Sequence, residues 1–114
     1  KLNPKFPVAL NNLANLLKDQ GDIDDSIIQF EEAIKLKPDY AEAYSNLGTA
    51  FQAKDDLNAA IDSYQKAISL NPKLAIFHSN LGTVLQDKGD LKGAIASFQE
   101  AIKLNPKFPD AIAT

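Results

Sequence analysis

Three asparagines, Asn12, Asn46 and Asn80, recur at intervals of 34 residues. A primary amide both donates and accepts hydrogen bonds, so a column of them has the chemistry needed to hold a peptide main chain. Around them lie Asn11, Asn15 and Lys18, then Ser45, Thr49 and Gln52, then Ser79, Thr83 and Gln86. Together they form a polar stripe almost free of charge. Other reactive residue types are sparse. His78 is the only histidine and falls in the column of Leu10 and Tyr44, so a half-buried packing role is expected for it, with no ligand-spaced partner for a metal. Ser79 follows it directly but faces another side of a helix, which leaves no nucleophile pair. The doublets Asp24-Asp25, Glu31-Glu32 and Asp55-Asp56 read as solvated turns and faces, and no glycine-rich phosphate loop is present. No catalytic residue, metal site or cofactor is expected from this chain.

The elements that must position the amides come from an internal repeat. Aligning residues 41–74 on 75–108 gives 20 identities in 34 columns, and residues 7–40 fit the same frame more loosely. Within each copy, apolar residues three and four apart predict two amphipathic helices. In the first copy these run from about Val8 to Gln20, with Leu10, Leu13, Ala14 and Leu17 on one stripe, and from about Asp24 to Lys37, with Ile27, Phe30, Ala33 and Ile34 inside. Gly21 ends the first by taking a left-handed conformation, Asp22 or Asp24 caps or charges the start of the second, and Pro38 ends it. Glu31 and Lys35 are spaced to pair on the wet face.

Column by column, the copies differ in useful ways. Gly21 and Gly89 correspond to Asp55, which reaches left-handed backbone only at some cost. Ala14 corresponds to Gly48 and Gly82, and a helical glycine predicts close approach of a bulky neighbour. Phe30/Tyr64/Phe98 and Leu17/Phe51/Leu85 are the bulky columns, with Ala33/Ala67/Ala101 opposite.

Composition narrows the partners. The chain has 114 residues, 45% of them hydrophobic, with 12 basic against 15 acidic residues and a net charge of −3. All the basic residues are lysine, and no basic patch for phosphate backbones is evident, so nucleic acid is not an expected partner. No run approaches the roughly 18 apolar residues of a membrane span, so no membrane partner is expected either. The absence of cysteine removes any disulfide framework and is compatible with a reducing compartment, from which a cytoplasmic location is expected.

The small residue at Ala14/Gly48/Gly82, the aromatic at Phe30/Tyr64/Phe98, the alanine at Ala33/Ala67/Ala101 and the proline at Pro38/Pro72/Pro106, all at one 34-residue period, resemble the tetratricopeptide repeat. The resemblance covers three repeats, 7–40, 41–74 and 75–108, with residues 1–6 as the tail of a preceding repeat and 109–114 as the start of a further one. The tryptophan or other aromatic usual near the repeat start appears as Leu10, Tyr44 and His78, and Ser26 stands where Ala60 and Ala94 match the pattern. The implied fold is all-α, a right-handed superhelix of antiparallel helix pairs. The implied activity is non-catalytic binding of a protein or peptide along a concave groove lined by the first helix of each pair.

On that frame the expected peptide-binding residues are Asn12, Asn46 and Asn80, with Asn15, Thr49, Thr83, Gln52 and Gln86 beside them. Adjacent helices pack about 8–10 Å apart and an extended chain advances about 3.3–3.6 Å per residue, so successive asparagines would meet about every third peptide unit. The segment Asn46-Leu47-Gly48-Thr49 resembles the repeats of O-linked N-acetylglucosamine transferase. That likeness implies an alternative role as the substrate-recruiting arm of such an enzyme. The carboxylate clamp of chaperone adaptors is not expected, because the matching positions Asn11, Asn15, Asn46, Ile76 and Asn80 lack its cations.

Residues 1–7 and 103–109 are the same heptapeptide, as if the chain were cut from a longer array. The stub 109–114 reads as too short to cover the last helix, leaving Ile102 and Leu104 partly bare. From this, end-to-end self-association and a third role as a self-assembling architectural array are expected.

Overall fold

The computed structural model describes residues 6–106. Six helices follow one another, α1 (Pro7–Asp19), α2 (Ile23–Leu36), α3 (Ala41–Ala53), α4 (Leu57–Leu70), α5 (Ala75–Lys88) and α6 (Leu91–Leu104), with no strand among the described residues. The bounds expected for α1 and α2 are each within one residue of those observed. The heptapeptide's opening residues 1–5 and the stub 109–114 lie outside the described residues.

Left-handed backbone closes each first helix, at Gly21 (φ 90°), Asp55 (φ 65°) and Gly89 (φ 91°). Asp55 is the only non-glycine among the described residues to do so, and it carries a steric cost that glycine lacks. Asp55→Gly should therefore raise stability by about 0.5–1 kcal/mol, read as a higher denaturant midpoint at unchanged slope. A lower midpoint would mean that the Asp55 side chain contributes more than its backbone conformation costs. The next aspartate caps the following helix: Asp56 accepts from the Ala59 amide (3.3 Å) and Asp90 from the Gly93 amide (3.0 Å). Asp22 occupies the same place without a side-chain cap bond, leaving Asp24 and Asp25 to charge the first turn of α2.

Helices pair within each repeat, and each second helix then packs on the first helix of the next repeat. One core cluster joins Ala14, Ile27 and Phe30 to Leu47 and Ala50, and another joins Ala60 and Tyr64 to Val84. The small column does what its residue type requires: Ala33, Ala67 and Ala101 are buried. The glycines are demanded by the aromatics opposite. A Cβ on Gly48 would lie 2.7 Å from Tyr64 Cε1, and one on Gly82 2.9 Å from Phe98 Cε1. Ser26, in the alanine column, is buried too, with its hydroxyl donating to the Ile23 carbonyl at 2.7 Å.

Two expectations fail. Leu13 is 45% exposed, whereas its counterpart Leu47 is 6% exposed, because Leu47 rests on the helix pair before it and no helix among the described residues stands before α1. Glu31 and Lys35 form no ion pair; the one among the described residues joins Lys54 to Asp24 across repeats, at 2.6 Å on the exposed surface. No helix among the described residues is long and apolar enough to cross a membrane.

The first helices α1, α3 and α5 touch one another across repeats, while the second helices make no comparable contact. Layers that approach more closely on one side curve toward it, so the first helices line the inner side of the solenoid. The described body measures 50 × 26 × 23 Å.

Candidate functional site: the amide face of the first helices

Along the inner layer, successive first helices are stitched by side chains 35 positions apart. Asn46 Nδ2 donates to Asn11 Oδ1 (3.1 Å), Asn80 Nδ2 donates to Ser45 Oγ (3.1 Å), and Gln52 Nε2 donates to Asp87 Oδ2 (2.9 Å). The first column of the expected polar stripe is thereby corrected: Asn11, Ser45 and Ser79 are buried, and Asn11 and Ser45 serve the junctions between repeats, not the solvent face. A buried amide or hydroxyl left unpaired is costly, and these pairings remove that cost.

The asparagine column keeps part of its capacity. With one Nδ2 hydrogen directed at the preceding repeat, Asn46 and Asn80 each retain the other hydrogen and the carbonyl oxygen. The pinned nitrogen also fixes which way that oxygen faces. Asn12 is exposed and makes no hydrogen bond among the described residues. Asn15, in the column of Thr49 and Thr83, is half-buried.

The residues expected to flank the asparagines fare differently. Thr83 donates to its own helix at the Ser79 carbonyl (3.1 Å) and Gln86 is exposed. Thr49 and Gln52 are held by Tyr64, which reaches up from α4. The Tyr64 hydroxyl donates to Gln52 Oε1 (2.8 Å) and lies 3.1 Å from Thr49 Oγ1, itself 3.2 Å from the Ser45 carbonyl. The tyrosine's single proton goes to Gln52, and Thr49 has one proton to share between the Ser45 carbonyl and the tyrosine oxygen. Burial pushes the Tyr64 pKa up, with the Thr49 hydrogen bond partly opposing it, so the hydroxyl stays a donor at neutral pH. Gln52 is thus fixed at both ends of its amide, between Tyr64 and Asp87.

Neither Tyr64 nor Asp87 was among the expected site residues. The signal for Tyr64 was present: it is the one hydroxylated member of a column otherwise filled by Phe30 and Phe98. Asp87 pairs with Asp19 and Ala53 in its column, which gives no such hint. Lys18 is the one cation of the stripe; burial lowers its pKa, with Asp19 acting the other way. His78 is half-buried, and its Nε2 lies 2.9 Å from the Pro72 carbonyl, which ties α5 to the turn before it and fits the packing role.

Comparison with known proteins gives the broader frame. The tetratricopeptide repeat model matches residues 41–74 and 75–108, and a related TPR repeat model matches 14–55. No curated protein matches the chain. Among solved structures, a crystal structure of MamA is similar over 93% of this chain, with a TM-score of 0.87 at 25% identity, and a crystal structure of MamA protein is similar over 93% with a TM-score of 0.85 at 25% identity. This chain spans 62% and 58% of those two chains. These matches carry the repeat and its solenoid fold; the narrower likeness to the transferase repeats rests on the residue columns alone. With the 34-residue period, the helix pairs and the glycine–aromatic contacts in agreement, the chain belongs to the tetratricopeptide repeat family.

Proposed function

We propose that the chain is a protein–protein interaction module that takes an extended peptide along its first helices through Asn12, Asn46 and Asn80. The observation that supports this most is the pinning of Asn46 and Asn80 by Asn11 and Ser45. Each leaves a carbonyl oxygen and one amide hydrogen in a fixed orientation, matching the donor and acceptor of one peptide unit, and preorganised groups lose little entropy on binding. Asn15, Thr83 and Gln86 adjoin this line and set side-chain preference. Thr49 and Gln52, engaged by Tyr64, act as a fixed wall.

Peptides selected from a random-sequence phage library provide the probe. Replacing Asn12, Asn46 and Asn80 with alanine should weaken the selected peptides by about 1 kcal/mol per asparagine, measured by fluorescence anisotropy. Asn11→Ala with Ser45→Ala cuts the same inter-repeat bonds, keeps the groove amides but frees them to turn, and should cost a part of the affinity that the triple variant loses. Should the triple variant lose helicity, Asn12→Ala alone serves, since Asn12 holds no junction. Full affinity in a folded triple variant would sink the proposal.

A second reading, an array that assembles with itself, is supported by the apolar stripes exposed on α1 and α6. Leu13 and Leu16 are 45% and 63% exposed, and Leu91, Ile95 and Ile102 are 61%, 56% and 45% exposed. No observation in the structure favours the role of a transferase's recruiting arm.

A further inference from the structure

The seams between neighbouring first helices are built alike but are not filled alike. Between α3 and α5 the seam is closed at two levels: Asn80 rests on Ser45 and, two turns further along, Gln52 rests on Asp87. Between α1 and α3 only the first level is closed, by Asn46 on Asn11. At the second level the columns of Gln52 and Asp87 hold Lys18 and Ala53. A methyl group accepts no hydrogen bond, so a cation in that register meets no acceptor.

Lys18 differs from the other lysines in two respects. It is the only lysine among the described residues that is not exposed, and it has neither a hydrogen bond nor an ion pair among them. Lys54 and Lys88, at the ends of α3 and α5, show the ordinary arrangement: both are exposed, and each is matched across repeats, Lys54 with Asp24 and Lys88 with Asn58. A helix dipole favours a cation near its C-terminus, which accounts for all three lysines but not for the burial of one. Taking an ammonium out of water without a counter-charge is unfavourable, and this is the main cause of the lowered Lys18 pKa. The charged group that acts on it, Asp19, is exposed and shares the column of Asp87, which reaches the preceding repeat. Asp19 therefore stands on the side of α1 turned from α3, and leaves the seam without a carboxylate.

We propose that Lys18 receives the carboxylate of an aspartate or glutamate side chain of the bound peptide, in the open slot between α1 and α3 beside Asn15 and Ala53. The inference rests on the peptide-binding reading above and adds the chemical class of one guest side chain and the residue that selects it. Six residues of helix put Lys18 about 9 Å along α1 from Asn12. Helical side chains lean toward the helix N-terminus, so Lys18 leans back toward the line of asparagines, and an acidic side chain hanging from the guest main chain spans the remainder. The α3–α5 seam offers no second slot, because Gln52 and Asp87 fill it. One acid at one position is specified, not an acidic peptide in general.

Binders selected from the random-sequence library, displayed without a free C-terminus and synthesised as C-terminal amides, carry carboxylates only on their side chains. Aligned, they should share Asp or Glu at one fixed position. Replacing that acid by its amide, or Lys18 by the glutamine that its column holds at Gln52 and Gln86, should each weaken binding about tenfold by fluorescence anisotropy. The two changes together should cost little more than either alone, as expected for groups that contact each other. Ala53→Asp gives Lys18 an acceptor in the register of Gln52 and Asp87, and should weaken the acidic binders about tenfold and their amide counterparts less. Binders without a shared acid, or losses from Lys18→Gln and from the peptide amide that simply add, overturn this inference; if those binders still depend on Asn12, Asn46 and Asn80, the groove reading stands. A library that yields no binder, or binders indifferent to the folded triple asparagine variant, overturns both.

Discussion

Tyr64→Ala should destabilise the chain by about 3–5 kcal/mol, the range for deleting a fully buried aromatic ring. Tyr64 is 1% exposed and stands in the middle repeat, covering Gly48 and packing toward Val84 of the next repeat. Its loss opens a cavity and frees Thr49 and Gln52 at once. Because a solenoid's stability is approximately a sum over repeats and their junctions, the loss should be uneven. Amide hydrogen exchange should accelerate most in α3, α4 and α5 and least in the first half of α1. Tyr64→Phe separates the two contributions: it keeps the ring that Phe30 and Phe98 already have in their repeats and removes only the hydroxyl, for a loss of about 1 kcal/mol. Equal losses in the two variants would mean that the hydroxyl network, not the ring, holds the middle repeat.

Gly48→Val should cost about 3 kcal/mol, the upper part of the range for overpacking a filled core. The first added atom would stand 2.7 Å from the Tyr64 ring, and a branched side chain adds two more. Gly48→Ala is a milder case, because alanine gains about 1 kcal/mol of helix propensity over glycine and so offsets part of the clash. Ala14, which faces Phe30 in the same column, is evidence that a repeat can be set slightly wider to admit a methyl. Chemical denaturation with both variants decides the matter. A Gly48→Val protein as stable as the parent would show that the close approach of α3 and α4 is incidental.

Much of this was legible in the sequence because it lies within a column. Gly48 and Gly82 opposite Tyr64 and Phe98, the buried alanines and the left-handed turn at Asp55 all follow from comparing residues 34 apart. What was not legible lies between columns. Asn46 meets Asn11, Asn80 meets Ser45 and Asp87 meets Gln52, each across 35 positions. The physical reason is that stacked helices interdigitate: a side chain reaches the neighbouring helix beside its own equivalent, not on top of it. Aligned columns therefore display residues that never touch and separate those that do. For this reason Asn11 and Ser45 read as solvent-facing polar residues although both are buried, and the Tyr64–Gln52–Asp87 chain went unseen. Exposure of Leu13 was hidden by a related cause: periodicity says which face is apolar, but not whether a neighbour covers it.

The asparagine column was legible as a pattern, and its half-engaged state was not. One hydrogen of Asn46 and one of Asn80 are committed to the preceding repeat, and that commitment fixes which way the rest of each amide faces. Side-chain amide resonances in a 15N-labelled sample test this most directly. On titration with a library-selected peptide, the amides of Asn12, Asn46 and Asn80 should shift together in saturable fashion, while those of Asn58 on α4 and Asn71 in the following turn stay in place. Shifts confined to Asn58 and Asn71, with the three inner amides unmoved at saturation, would contradict the account.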